Sequence, residues 1–360
     1  MLPKTRLLLA ALLAVACFAG PVFAVDLTTT LKPGTPDLKS AGPLAFAPDG
    51  ILLVGDPSGA AVFAFDTGDR AQANGNDPIK VEGIDQKIAG MLGTTPQQLL
   101  INDMAANPFS GNVYLSISRG RGPDAQPALI RVTRGGKIEE FKYQNAKFAK
   151  ATIPNPTEKA RQDAITDLAY VDGRVFVAGL SNEEFASRLR SIPFPFSDAD
   201  KGASVEIYHG SHGRFETASP IRTFTTYKID GKDYLLAAYT CTPLVKIPVS
   251  ELKPGAHVKG STIAELGNRN KPLDMIVYQK NGKDFILMAN SSRGVMKITT
   301  EGIGEAEAIT KHISDKAGMK YETIEGLKGV QHLDRLDKEH AVLLVRNDAG
   351  ILNLDTIALP

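Results

Sequence analysis

The stretch DMIVYQKNGKDFILMANSSRGVMKITTEG, Asp274–Gly302, decides how this chain folds. It holds three short runs rich in Val, Ile, Met, Phe and Tyr, the residue types that suit a half-buried or buried sheet. Asn281-Gly282 separates the first two runs. That dipeptide marks a hairpin, because its backbone tolerates positive φ in a two-residue turn. Outward from this stretch, the same order of strand, turn, strand, polar loop and strand recurs. It is seen at residues 44–69, at 103–141, at 167–181 with 205–216, at 225–252 and at 330–356. The turns are again PDG, SG, DG or NG.

A recurring unit of three or four short strands cannot bury both of its faces alone, so the units are expected to stack around an axis. The reading is an all-β fold: a six-bladed β-propeller of mostly four-stranded blades in one domain, residues 25–360. The last unit ends after three strands. DLTTTL, residues 26–31, is expected to close the ring as its outer strand. Two short helical insertions are expected at 85–99 and 157–165. A longer insertion at 182–203, with an amphipathic helix followed by Phe194 and Phe196 between prolines, is expected to act as a lid.

The N-terminus predicts export. Lys4 and Arg6 precede an apolar run from Leu7 to Ala16, and Val22-Phe23-Ala24 fits the small-x-small cleavage rule. Residues 1–24 therefore read as a signal peptide, and the protein as periplasmic or secreted. No later segment approaches the ~20 apolar residues of a membrane span. Cleavage removes two basic residues from a balance of 41 basic to 40 acidic, leaving 39 to 40. Such a near-neutral chain has no electrostatic footprint for nucleic acid. Of the two cysteines, Cys17 leaves with the signal and Cys241 remains unpaired.

In a propeller the first strand of each blade lines the axis, and the loop between the second and third strands meets its start on the same face. Asp103, Asp167 and Asp274 stand at matching strand starts. The equivalent positions elsewhere read Gly42-Pro43, Thr225 and Gln331-His332. Three carboxylates crowded on an axis repel one another, which calls for a balancing cation or basic ligand. Oxygen donors of this kind suit Ca²⁺ or Mg²⁺ better than Zn²⁺. The alternative is that each Asp bonds backbone N–H groups at its strand start.

Arg119, Asn182, Cys241, Asn290, Arg293 and His332 are the candidate ligand-binding residues around the same mouth. Arg119 and Arg293 lie in matching Ser-Arg-Gly triplets, and either clamp a carboxylate or phosphate or pair with the axial Asp residues. His209 and His212 stand three apart in YHGSHG. Without a helical context there, a loop without metal is expected. No GxSxG, HExxH, Walker or CxxCH motif is present, so nothing points to a nucleotide, haem or flavin.

The Asp-Met-Ala and Asp-Met-Ile strand starts resemble those of the calcium-dependent six-bladed propellers of the gluconolactonase/regucalcin and paraoxonase group. That resemblance implies metal ligands at Asp103 and Asp274. The blade pattern is also similar to that of NHL-type propellers, in which no metal need be present. In the lactonases an axial Glu near the N-terminus completes the set. Leu44-Ala45 stands in the matching place here, with Asp56 in a different loop as the only nearby substitute. Two functions are therefore expected from this face. One is a propeller that binds a small molecule or a periplasmic partner, with or without a divalent cation. The other is a metal-dependent hydrolase of the lactonase or esterase kind, with a metal on Asp103, Asp167 and Asp274 polarising the carbonyl.

Overall fold

The computed structural model describes residues 26–72, 77–197 and 199–360; the expected signal peptide lies outside them. The chain is all-β, and its small antiparallel sheets are arranged like a propeller. The Asp172-Gly173, Asp230-Gly231 and Asn281-Gly282 turns all have positive φ at both residues. Each closes a two-residue hairpin, pairing Val171 with Arg174, Ile229 with Lys232 and Lys280 with Lys283. This backbone matches the right-handed twist of the flanking strands. The second strand of each unit is sandwiched between neighbours, and Ile51–Asp56 is buried throughout. Each Leu, Ile or Val so buried contributes roughly 1.5–3 kcal/mol.

The inner strands are Leu44–Ala47, Leu99–Ala106, Asp167–Val171, Ile221–Ile229, Pro272–Lys280 and Val330–Arg335. They touch in a closed ring, but not in chain order. Leu44–Ala47 sits between Leu99–Ala106 and Asp167–Val171, and Leu99–Ala106 in turn meets Val330–Arg335. The first two units have exchanged places. The chain leaves the first sheet after Asp66, builds the second unit, and returns to add Lys147–Thr152 as the first sheet's fourth strand.

Several expectations are corrected. Among the described residues the strands hydrogen-bond into five sheets, one of them ten-stranded, so the sheets do not by themselves count out six blades. Ala203–His209 makes only two pairs with its own neighbour, and then runs parallel to His257–Leu266 from Ser204 to Ile207. This joins the third and fourth units into one ten-stranded sheet. Gly260 allows the approach, since a Cβ there would lie 2.6 Å from Val245 Cγ1.

The last sheet is closed by Lys80–Val81 on Leu354 and Asp355, not by residues 26–31. Asp26 accepts the Thr28 N–H at 2.9 Å, and the Thr29 and Thr30 hydroxyls donate to Asp26 O and Leu27 O. These local bonds turn Leu27–Thr30 into a 3₁₀ helix instead of a strand.

The segment 182–203 is not a helical lid. Ser187–Pro193 is the third strand of its unit, paired along its whole length with Arg174–Leu180. Arg188 and Arg190, which look like the polar face of a helix, are buried in the sheet. Arg188 pairs with Glu183, and Arg190 donates to Pro154 O at 3.2 Å. The other two insertions are shorter than expected: a helix at Ile84–Met91 followed by a 3₁₀ turn at Pro96–Gln98, and a 3₁₀ turn at Arg161–Ala164.

Candidate functional site at the axial mouth

Four inner strands slip register by one residue near their starts, at Ile101/Asp103, Ile221/Thr223, Pro272/Asp274 and Val330/His332. A β-bulge re-aims the side chains on either side of it. Here the bulged residues Asn102, Arg222, Leu273 and Gln331 line a mouth of about 540 Å³. The residues after them, Asp103, Thr223, Asp274 and His332, line the axis just below, together with Pro43 and Asp167. The fourth unit thus presents Thr223, two residues before the expected Thr225. A channel of about 210 Å³ continues inward past Ala105, Ala169 and Asp334.

The axial carboxylates repeat one arrangement. Asp103 accepts the N–H of Met104 at 2.8 Å with one oxygen and that of Leu44, in the next inner strand, at 2.6 Å with the other. Asp167 does the same with Leu168 and Phe224, at 2.8 and 2.7 Å. Asp274 takes Met275 at 3.0 Å and, more loosely, Leu333 at 3.3 Å. Asp334 adds a fourth case, with Arg335 at 2.6 Å and Ala106 at 2.7 Å. Each carboxylate thereby clasps its own strand to its neighbour, and backbone groups that face the channel are satisfied.

His332 is the basic group facing the axial carboxylates. His332 Nδ1 lies 3.4 Å from Asp103 and 3.6 Å from Asp274. These distances are those of a shared ion pair, and the ring makes no well-directed hydrogen bond to either carboxylate. Burial alone would lower the imidazole pKa, but the two carboxylates raise it to about 9. Burial raises Asp274 to about 6 against the pull of His332. Asp167 is pushed well above the usual carboxylate range, by burial first and then by Asp103 and Asp274. Burial also lifts Asp334 to about 7, with Asp274 and Asp103 adding to the effect.

This donor set does not fit Ca²⁺, which takes six to eight oxygens. Asp103, Asp274 and His332 bring one ligating atom each within 4.8 Å of one another, but the third is an imidazole nitrogen. Each oxygen of Asp103, Asp167, Asp274 and Asp334 accepts one backbone N–H group. Asp56 is no substitute for an axial acid, since its two oxygens take the N–H groups of Lys39, Ser40 and Gly59.

Of the six expected ligand-binding residues, His332 lines the mouth and the others lie elsewhere. Arg119 is exposed at a strand end, paired with Leu99 and Gln126. Asn182 is exposed. Asn290 is buried against Asn270, at 2.8 Å. Arg293 donates to Asn268 O and pairs with Asp315 at 3.2 Å. Cys241 sits in a turn with φ 63°.

Arg121, Arg222 and Lys271 take the place of the expected arginines, with Asp163 as the one carboxylate among the mouth residues. Asp163 pairs with Arg222 at 2.9 Å. Arg222 lies in the strand Ile221–Ile229, which starts four residues before the expected unit at 225. An Ile-x-Thr step aligned with Ile101-x-Asp103 was the available signal. No family model matches the chain, and neither does any curated protein. The mouth's own chemistry is therefore what bears on function.

Proposed function

We propose that the protein is an exported six-bladed propeller that binds a small anionic ligand, of the carboxylate class, in the axial mouth. The count of six takes the ten-stranded sheet as two blades joined through their outer strands. The observation that carries the ligand class is the lining of the mouth: Arg121, Arg222 and Lys271 against Asp163 alone, with the amides of Asn102, Gln162 and Gln331 between them. Cationic groups and amide donors around a concave site favour an anion, and guanidinium favours a planar carboxylate. The clasped carboxylates form the floor and hold the ring together, which supports binding over metal-dependent hydrolysis.

The test is a thermal-shift screen of the mature protein against mono-, di- and tricarboxylates of up to about ten heavy atoms, followed by calorimetry. Stabilisation by a subset of them, lost in Arg222→Ala/Lys271→Ala, supports the reading. If the whole panel leaves the melting temperature unmoved, or the double variant still binds as well, the reading is wrong.

A further inference from the structure

A second cluster, away from the mouth, brings together side chains that the axial site does not use. The strand Ala203–His209 ends in a 3₁₀ turn, Gly210–His212. In a 3₁₀ turn residues three apart eclipse one another, and the rings of His209 and His212 lie with centroids 3.8 Å apart. The i,i+3 spacing that reads as an ordinary loop in sequence therefore brings two imidazoles into close contact, their planes tilted by 36°.

Glu216 orients both rings. Its Oε2 bonds His209 Nδ1 at 2.9 Å and its Oε1 bonds His212 Nδ1 at 2.7 Å. This leaves Nε2 of each ring as the atom free to bind. His209 Nε2 is buried with no hydrogen-bond partner, on a side chain only 3% exposed. The third member is Cys241, a free thiol from the turn between Lys232–Tyr239 and Pro243–Pro248. One ligating atom from each of His209, His212 and Cys241 lies within 4.8 Å of the others.

We propose that His209, His212 and Cys241 bind a divalent transition-metal ion of the Zn²⁺ class, with Glu216 as the residue that positions both imidazoles. Two imidazole nitrogens and a thiolate are the donors that Zn²⁺ prefers over oxygen-seeking ions. A carboxylate that holds the far nitrogen of a ligating histidine is the usual support of such a site. Here one carboxylate serves two rings. The ion also gives the buried His209 Nε2 the partner it lacks. His212 is 43% exposed, so the fourth tetrahedral position faces solvent and takes water. On binding, the Cys241 S–H proton is released to solvent and the sulfur lone pair forms the bond to the metal.

The experiment uses the full mature chain, kept reduced and freed of metal, titrated with Zn²⁺ against a chromophoric chelator and with Co²⁺ by absorption. The expected result is one equivalent of Zn²⁺, and a Co²⁺ complex showing thiolate-to-metal charge transfer and intense tetrahedral d–d bands. Cys241→Ser should abolish the charge-transfer band. Cys241→Ser and His212→Ala, both at partly exposed positions, should each lower affinity by about 100-fold or more with melting unchanged for the metal-free protein. Glu216→Gln should lower it by about 10–100-fold. Asp103→Asn, although it weakens an axial clasp, should leave the Zn²⁺ stoichiometry and affinity of the folded protein unchanged, which separates this site from the axis. Absence of stoichiometric binding in the parent protein overturns the proposal. So does full affinity in Cys241→Ser, or loss of Zn²⁺ binding in Asp103→Asn under conditions where that variant is folded.

Discussion

Asp334 accepts the backbone N–H of Ala106 at 2.7 Å across 228 residues of chain, and so ties the last unit to the second. The same geometry joins Asp103 to Leu44, Asp167 to Phe224 and Asp274 to Leu333. Four of the six contacts around the ring are thus held by a half-buried carboxylate and a neighbour's N–H.

Asp334→Ala should leave the Ala106 N–H unpaired at the channel wall. A buried donor that loses its partner costs about 1–3 kcal/mol. Urea unfolding is expected to show a lower midpoint with an unchanged slope. A midpoint identical to that of the parent would mean that the clasp contributes nothing.

The raised pKa of Asp334 predicts a direction for the pH dependence of stability. Its folded-state value of about 7 lies above the ordinary 3.8. The folded state therefore holds the proton more tightly than the unfolded one does. The stabilisation is complete below about pH 4 and fades as pH rises through about 7. Asp103 and Asp274 face this group and push in the same direction, while the N–H groups of Ala106 and Arg335 oppose them. Asp334→Asn should flatten the fall in stability between pH 4 and 7 relative to the parent. Parallel curves for the two proteins would refute the linkage.

His332→Leu should expose Asp103 and Asp274 to each other without the positive charge between them. Removing one partner from a buried charged group typically costs about 3–5 kcal/mol. The loss should be partly reversed at low pH, where the carboxylates protonate. In the parent protein, chelation by EDTA should leave the axial clasps and their contribution unaffected. A fall in melting temperature on chelation that persists in Cys241→Ser would instead place a structural cation at Asp103 and Asp274.

In the mouth, Arg222→Ala and Lys271→Ala should each weaken binding of a small carboxylate by about 10- to 100-fold, as expected for a charge-assisted hydrogen bond of about 1.5–3 kcal/mol. Arg119→Ala, whose side chain stands outside the mouth, should bind like the parent. Calorimetric titration distinguishes the two patterns.

Gly260→Ala should destabilise by about 1–3 kcal/mol, because the added methyl meets Val245 Cγ1 at 2.6 Å where two units join in parallel. Hydrogen exchange should show the loss first in Ser204–Ile207, the strand that pairs across this join.

The kind of fold, the turns and the matching strand-start positions of Asp103, Asp167, Asp274 and His332 are legible in the chain's local pattern. Those features are local: an Asn-Gly turn needs positive φ at both residues, and a half-buried strand needs its run of Val, Ile and Phe, whatever lies elsewhere in the chain. Long-range packing set the order of the first two units, the closing strand at Lys80–Val81, the strand within 182–203 and the parallel join at Gly260. Each of these depends on which edge happens to be free when distant segments meet, and residues 26–31 lost that competition to bonds within their own turn. The backbone contacts of the axial acids were likewise set in three dimensions. A carboxylate reads the same in sequence whether it awaits a cation or a neighbour's N–H, and here the N–H of Leu44, Phe224, Leu333 or Ala106 lies within reach.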